Sequence, residues 1–326
     1  MQQRTLGRTG RDVSVVGLGT GQLGADWGDV SHDDALEVLD AAVADGVTFF
    51  DTADVYGDGR SEQLIGEFLR ARPELDVFVA TKMGRRAEQD PAHFTMDSFR
   101  AWTERSRGNL GVETLDLVQL HCPPTAVFAD DRVFDDLDTL VEENVMAAYG
   151  VSVETVDEAL AAIARPNVAS VQIILNAFRL KPLDEVLPAA REAGVGIIAR
   201  VPLASGLLSG RYTAETTFGA DDHRTYNRAG DAFDVGETFS GVDFETGILA
   251  AREFTGLAPA GVSPAQVAIA WILAQDGVTA AIPGARNVDQ ARSNAAAAGV
   301  ALPGGFDDAV RELYDRLLRD SIHPRW

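Results

Sequence analysis

The chain contains almost no lysine and a single cysteine. Of its 326 residues, 28 are lysine or arginine, and only Lys82 and Lys181 are lysines. A lysine that stands inside a motif is therefore less easily explained as general surface charge. Because Cys122 is alone, the chain cannot form an internal disulfide or a cysteine metal cage. The five histidines show no close spacing such as H-x-x-x-H, so the sequence predicts no metal site.

Positive charge is also scarce relative to negative charge. The 50 acidic residues give a formal net charge of −22, spread along the chain. Such acidity disfavours nucleic acid and anionic membrane surfaces as partners. No apolar run is long enough to span a bilayer, and the polar start MQQRTLGRTG has no secretory signal. We expect a soluble cytoplasmic protein, whose oligomeric state the sequence leaves open.

Short apolar, β-branched runs alternate with amphipathic stretches along the chain. The runs are 16–19, 47–51, 77–81, 115–120, 145–151, 168–173, 195–201 and 278–282. The helical stretches are 33–45, 61–70, 97–110, 133–143, 155–164, 183–193, 264–275, 288–297 and 306–319. With no linker dividing the chain, this alternation predicts a (β/α)₈ TIM barrel over residues 1–326 rather than a doubly wound sheet. Residues 3–6 and 12–15 predict an N-terminal β-hairpin that caps the barrel, and the last two stretches are extra C-terminal helices.

The stretch GLGTGQLG places Gly19, Gly21 and Gly24 at the G-x-G-x-x-G spacing of a dinucleotide-binding turn. That turn requires a helix to begin at the last glycine, so that backbone N–H groups face a pyrophosphate. Here the next helix begins only near Ser31, where the sequence resembles a capping box. The spacing alone is therefore a weak signal, although Asp51 also stands where such a domain holds its ribose.

Four polar residues follow neighbouring strands of the predicted barrel: Asp51, Tyr56, Lys82 and His121. Taken singly, an ion pair, a loop aromatic and a core histidine would explain them. Together at the active-site end they are hard to explain by packing, because buried charges are costly. A lysine ammonium beside a phenol lowers the phenol's pKa by roughly one to three units. The set can polarise a carbonyl and protonate its oxygen as a hydride arrives at carbon.

The motifs FFDTADVYGDGRSEQLIG, VATKMG, LVQLHCPP and IPGARNVDQARSNAAA resemble the aldo-keto reductase superfamily. The resemblance runs from the hairpin to about Ala298. It implies an NADP(H)-dependent reductase that interconverts aldehydes or ketones and alcohols. Tyr56 would be the general acid, assisted by Lys82, Asp51 and His121. Trp27, Tyr56 and His121 would contact substrate.

The same resemblance implies a set of cofactor contacts. Ser152 and Gln172 would hold the nicotinamide carboxamide, and Arg200 stands where many members stack a tyrosine on the nicotinamide. The family often has asparagine where Val153 stands and lysine where Gly284 stands. Gly19, Thr20 and Asp51 would also contact the cofactor. Further positions are Leu203, Ser205, Gly206 and Leu208 over the pyrophosphate, and Gly284, Arg286, Gln290 and Asn294 at the adenosine end. NADP(H) is favoured because Arg286 and a helix capped by Asn287 can hold a 2′-phosphate, and NAD(H) is the alternative.

The sequence alone leaves two other functions possible. One is a regulatory NADP(H)-binding module resembling potassium-channel β subunits. The other is a barrel hydrolase with paired carboxylates, for which Asp51 and Asp54 are candidates. The polar 212–245 segment is expected to be a mobile loop that closes on ligand, with Asp222, His223 and Arg224 as its lock or as a solvated turn. Cys122 is expected to be a small packing residue.

Overall fold

Eight parallel strands form the wall of a barrel in residues 1–24, 30–220 and 222–326, the part of the chain that this computed structural model describes. Each strand pairs with the next in chain order, and bridges from Val16 to Ala281 and from Gly19 to Gly284 join the two ends of the sheet. The hairpin strands are β1 (Gln3–Thr5) and β2 (Asp12–Ser14). The barrel strands are β3 (Leu18–Gly19), β4 (Phe49–Asp51), β5 (Phe78–Met83), β6 (Leu117–His121), β7 (Tyr149–Ser152), β8 (Val168–Ile174), β9 (Gly196–Arg200) and β10 (Ala280–Ala281). The prediction of a (β/α)₈ barrel is confirmed, with strand ends shifted by a few residues.

Helices follow the strands. They are α1 (His32–Ala44), α2 (Arg60–Arg70), α3 (Met96–Leu110), α4 (Asp131–Glu142), α5 (Val156–Ile163), α6 (Val186–Ala193), α7 (His223–Tyr226), α8 (Phe244–Leu257), α9 (Pro264–Leu273), α10 (Val288–Ala296), α11 (Phe306–Leu317) and α12 (Arg319–Ile322). Thr155 and Ser263 begin α5 and α9 with complete capping boxes. Ser31 caps α1 by accepting from the Asp34 amide, but Asp34 does not complete a box. In the described residues, no helix is both long enough and apolar enough to cross a bilayer.

Helix α8 is absent from the sequence prediction. Its sequence FETGILAAREFTGL carries two glycines, which weaken the helical pattern. Packing explains the difference, because a Cβ on Gly247 would lie 2.8 Å from Leu207 Cδ1. The close approach of α8 to the barrel thus favours glycine there, and tertiary contact overrides propensity. Helix α7 is a single turn inside the 212–245 segment, which also contains the 3₁₀ turns Val235–Glu237 and Phe239–Gly241.

The hairpin closes the amino-terminal end of the barrel, as predicted. Leu6 and Val13 pack against the first inward side chains of the strands, including Phe49, Phe78 and Leu117. Its arginines bind carbonyl groups far along the chain. Arg8 donates to the carbonyls of Arg165, Val168 and Ala193, and Arg4 donates to those of Leu273 and Val278.

The interior changes from apolar to polar along each strand. Because side chains alternate across a strand, Phe49 and Asp51 share the inward face of β4, as Phe78, Ala80 and Lys82 do on β5. Gln119 and His121 follow Leu117 on the same face of β6. The polar layer therefore lies at the carboxyl ends of the strands, where a barrel builds its site.

Candidate active site

Side chains from two neighbouring strands and the turn between them meet at the carboxyl-terminal rim. Lys82 Nζ lies 2.5 Å from Asp51 Oδ1 and donates to the Thr52 carbonyl at 2.9 Å. The same ammonium lies 3.3 Å from Tyr56 Oη. Lys82 and Asp51 are 1% and 2% exposed. The ammonium is therefore directed at these three oxygens.

His121 completes the set from the end of β6. Its ring stands perpendicular to that of Tyr56, with centroids 6.0 Å apart. Its Nδ1 is buried and finds no hydrogen-bond partner in the described part of the chain. Burial, and then the positive charges of Arg85 and Lys82, hold the pKa of His121 well below its usual value. The imidazole is therefore neutral at pH 7 and can share a hydrogen bond without carrying charge.

The electrostatics of Tyr56 differ from the sequence expectation. Burial raises the pKa of Tyr56, and the nearby Lys82 ammonium opposes that rise without overcoming it. Burial is the main cause, and Asp51 adds to the rise, because its 2.5 Å ion pair with Lys82 offsets part of the lysine charge that the phenol would otherwise feel. Burial lowers the pKa of Lys82, but its attraction to Asp51 and Tyr56 outweighs burial, and the net change is upward. Lys82 therefore stays charged at neutral pH.

The turn that carries Tyr56 depends on glycine. Gly57, Asp58 and Gly59 all have positive φ, at 57°, 52° and 97°. A Cβ on Gly57 would lie 2.2 Å from Gly24 O, and one on Gly24 would lie 2.7 Å from Gly57 N. The last glycine of GLGTGQLG thus gives the backbone of the Tyr56 turn room to pack closely. It does not begin a helix, since Gly21–Gly24 is a 3₁₀ turn and α1 starts at His32.

Two glutamines hold the other oxygen of Asp51. Gln172 Nε2 donates to Asp51 Oδ2 at 2.8 Å, and Gln119 Nε2 donates to it at 3.2 Å. Gln172 Nε2 also reaches Gln119 Oε1 at 3.2 Å. Sequence reasoning named Gln172 but missed Gln119. The two-residue period of β6 would have placed Gln119 beside His121 on the inward face.

A second group of charges lies beside His121. Arg200 Nη1 is 2.8 Å from Glu237 Oε2, and Arg200 Nη2 is 2.9 Å from Glu154 Oε2. Arg85 Nη1 reaches the other oxygen of Glu237 at 3.2 Å. We call these four side chains the charge chain. Sequence reasoning named only Arg200 among them. Glu237 comes from the 212–245 segment, where no periodic pattern marks an inward residue.

The carboxyl groups of the charge chain have opposite pKa changes. Burial raises the pKa of Glu154, and so does the neighbouring Glu237, although Arg200 opposes this. Burial also acts to raise the pKa of Glu237, but Arg200 and Arg85 together hold it well below its usual value. Atoms of Cys122, Glu154 and Glu237 lie within 4.8 Å of one another. The Arg200 guanidinium is in contact with all three, which disfavours a metal ion there.

Cys122 has a packing role in this arrangement. Burial raises the pKa of its thiol above the usual value, with Glu154 adding to the rise. A thiol with a raised pKa is a poor nucleophile at neutral pH.

Most predicted site residues line one cavity of about 890 Å³. Those on its wall are Gly19, Thr20, Asp51, Tyr56, His121, Gln172, Arg200, Leu203, Ser205, Gly206, Gly284, Arg286, Gln290 and Asn294. Ser152 and Leu208 are instead buried behind the wall, each 1% exposed. Trp27, expected at the substrate, lies outside the described residues. Arg85, Tyr226, Phe233 and Glu237 also face the cavity and were not predicted.

One end of the cavity is formed by the amino terminus of α10. Asn287 caps this helix by accepting from the Gln290 amide at 3.0 Å. Gln290 Oε1 accepts from the Arg286 amide at 2.8 Å, and Asn294 donates to the Gly284 carbonyl at 3.0 Å. These bonds fix the loop that carries Arg286 at the helix end, where an anion is favoured.

Parts of the 212–245 segment cover the cavity. Arg224 pairs with Asp222, donates to Tyr212 Oη and lies 4.3 Å from the centroid of the Phe218 ring. Ser205 Oγ accepts from the Phe239 amide at 3.0 Å and donates to the Glu237 carbonyl at 3.2 Å. The Ser205 hydroxyl thus ties the segment to the loop after β9.

Asp54 does not form a carboxylate pair with Asp51 in this cavity. It is fully buried and is not on the cavity wall. Neither of its carboxylate oxygens has a hydrogen-bond partner within residues 1–24, 30–220 and 222–326. Burial, and then Glu62, raise its pKa to about 7, although Arg86, Arg105 and the Val55 amide act in the opposite direction. Asp51 itself is bound by Lys82, and the described cavity therefore lacks the paired carboxylates of a hydrolase.

Comparison with known proteins identifies the class of barrel. The model of the aldo/keto reductase family matches residues 15–315. The chain belongs to the aldo/keto reductase family and is an oxidoreductase of that family.

Particular relatives agree with this assignment. An uncharacterized oxidoreductase of Mycobacterium tuberculosis is 32% identical over 313 residues, which are 92% of this chain and 89% of the relative. The solved glycerol dehydrogenase of Gluconobacter oxydans is 29% identical with a TM-score of 0.79, covering 97% of this chain and 96% of that one. An aldo-keto reductase of Klebsiella pneumoniae, solved in complex with NADPH, is 22% identical with a TM-score of 0.69 and covers 96% of each chain. At 22% identity, the similarity to the Klebsiella pneumoniae structure shows a shared fold.

Proposed function

We propose that the protein is an NADP(H)-dependent carbonyl reductase, which also runs in reverse as an alcohol dehydrogenase. The observation that carries the proposal is the phenol of Tyr56, 3.3 Å from the Lys82 ammonium and beside a neutral His121 on one cavity wall. The family assignment supports this choice of chemistry.

The residues present fit such a cofactor. The cavity, of about 890 Å³, is large and runs from Tyr56 to the capped end of α10. Gln172 commits its Nε2 to Asp51 and Gln119, which leaves its Oε1 to accept from a carboxamide. Arg286 at the amino terminus of α10 suits a 2′-phosphate, so NADP(H) is favoured over NAD(H).

The chain's own groups then perform the proton transfer. A bound nicotinamide would supply the hydride to the carbonyl carbon. Tyr56 gives its proton to the carbonyl oxygen, and the resulting phenolate is stabilised by Lys82. Asp51 keeps Lys82 charged and aimed, while His121 hydrogen-bonds the same substrate oxygen and orients it. In the oxidation direction the phenolate takes the alcohol proton back.

Tyr56→Phe tests this proposal, because it removes the proton and keeps the ring. The value of kcat for reduction of aromatic aldehydes should fall by about 10²–10⁴-fold, the usual range for general acid catalysis. NADPH affinity should be retained, since the phenol acts in the transition state. Tyr226→Phe makes the same change elsewhere on the cavity wall and should alter kcat far less. Near-native turnover in Tyr56→Phe would contradict the proposal, and NADPH binding without turnover in the wild type would favour a regulatory module.

A further inference from the structure

The Arg200 guanidinium is held rigidly at the cavity wall. Besides Glu237 and Glu154, it donates to the Val153 carbonyl at 3.0 Å and lies 3.7 Å from Cys122 Sγ. Its Nε is buried and has no hydrogen-bond partner among the residues described. The two carboxylates keep its charge permanent, since Glu237 and Glu154 raise the pKa of Arg200 even though burial acts to lower it.

A permanent positive charge here has a consequence for cofactor binding. The oxidised nicotinamide ring carries a positive charge and the reduced ring carries none. A guanidinium beside that ring would repel the oxidised form if it were uncompensated, and would weaken its binding relative to the reduced form by roughly 10- to 100-fold, because two charges several ångströms apart interact strongly near a protein surface. The described site holds two carboxylates within 3 Å of the guanidinium.

We propose that Glu154 and Glu237 neutralise Arg200 and thereby set the relative affinity of the site for oxidised and reduced cofactor. The inference rests on the proposed function. Arg200 lines the same cavity as Tyr56 and Gln172, so a nicotinamide whose carboxamide binds Gln172 beside Tyr56 would lie near the Arg200 guanidinium. Glu237 is the stronger determinant, because it also pairs with Arg85 and faces the cavity itself. Glu154 lies behind Arg200 and acts through it.

The segment that carries Glu237 is fixed from both sides. The Ser205 hydroxyl bonds the backbone of Glu237 and Phe239. Asp234 accepts from the Trp326 indole at 3.0 Å, and that indole packs 4.0 Å from the Arg179 guanidinium. Glu237 is therefore a positioned charge, and its side chain is only 18% exposed.

Protonation of Glu154 should also alter the relative affinity of the site for oxidised and reduced cofactor. The charged and titratable groups around this carboxyl are Arg200 on β9, Arg85 after β5, Glu237 and Asp234 on the 212–245 segment, Arg179 after β8 and Cys122 after β6. A proton on Glu154 adds one positive charge beside the guanidinium. Affinity for the oxidised cofactor should then decline relative to the reduced form as pH falls. The 2′-phosphate also titrates, but both forms carry it, so it cancels in the ratio.

The test is equilibrium binding of NADP⁺ and NADPH without substrate, by calorimetric or fluorescence titration at pH 8. Glu237→Gln keeps the shape of the side chain and removes its charge. The ratio Kd(NADP⁺)/Kd(NADPH) should rise roughly 10- to 100-fold over that of the wild type. Arg200→Met removes the opposite charge and should move the ratio in the opposite direction. Asp231→Asn makes the same charge change on an exposed residue of the same segment and should leave the ratio unchanged.

The outcomes separate this inference from the proposed function. If Glu237→Gln and Arg200→Met weaken the binding of NADP⁺ and of NADPH equally, the two residues have only a structural role and the inference is wrong. An unchanged ratio in Glu237→Gln would overturn it as well. Glu154→Gln should abolish the pH dependence of the ratio between pH 6 and 8, and a retained dependence would remove Glu154 from the inference. A wild-type protein that binds neither NADP⁺ nor NADPH would contradict the proposed function itself.

Discussion

Asp54→Asn should stabilise the protein, and its advantage should grow with pH. The buried carboxyl has no hydrogen-bond partner among the described residues, and its pKa is raised from an ordinary 3.8 to about 7. A folded state with the higher pKa holds the proton more tightly than the unfolded chain does. Stability is therefore lost as pH rises from about 4 through 7, while the neutral amide has no such dependence.

The expected size follows from the pKa change. At about 1.4 kcal/mol for each pH unit, ionising Asp54 costs about 4 kcal/mol of unfolding free energy at pH 8. Roughly 2 kcal/mol of this is already lost at pH 5, so the advantage of Asp54→Asn should grow by about 2–3 kcal/mol between pH 5 and 8. The total is an upper value, because an asparagine amide in this place is also left without partners.

Urea unfolding followed by circular dichroism at pH 5, 6, 7 and 8 measures the effect. Asp58→Asn is the matched control, since Asp58 is exposed and pairs with Arg86 and Arg105, which hold its pKa below the usual value. That variant should show no growing advantage. Parallel curves of unfolding free energy against pH for wild type and Asp54→Asn would refute the reasoning.

Three further outcomes are expected. Lys82→Met leaves Asp51 buried without its charge partner, so the protein should lose about 3–5 kcal/mol of stability in urea melts as well as most of its kcat. Stability equal to the wild type would contradict the buried pair. Arg286→Ala should weaken NADPH binding by about 1–3 kcal/mol in titrations and leave NADH nearly unaffected, whereas equal losses would exclude a 2′-phosphate contact. Amide hydrogen exchange in residues 212–245 should slow when cofactor and substrate bind, and exchange that is equally slow in both states would argue against loop closure.

The barrel could be predicted because its signal is local and repeated. Each strand carries its own apolar run, and Thr155 and Ser263 mark helix starts by side-chain chemistry alone. The convergence of Asp51, Tyr56, Lys82 and His121 followed from barrel geometry, since the carboxyl ends of successive strands share one rim. Helix α8 was missed because its glycine is favoured by packing on Leu207, which no single-sequence pattern records.

The charge chain could not be predicted for a different reason. Arg200 alone suggests a stacked cation, and only the folded 212–245 segment shows that Glu237 neutralises it. The pKa of Tyr56 likewise depends on the sum of burial, Lys82 and Asp51, which residue types do not supply. The spacing of these residues in the sequence shows which side chains meet. Their charge balance depends on the distances between them, which only the structure gives.

The hairpin at the base of the barrel bears on the order in which the chain folds. Arg4 and Arg8 bind carbonyls between 157 and 274 residues further along the sequence. A ribosome makes the hairpin well before these partner carbonyls, of which that of Val278 is the last to be made. The hairpin cannot complete these bonds on a nascent chain until α9 and the turn that follows it have emerged, so a segment that is made early is among the last to be fixed in place. The same delay is expected on refolding from denaturant, because the long chain segments between the hairpin arginines and their partner carbonyls must close into loops before these bonds can form.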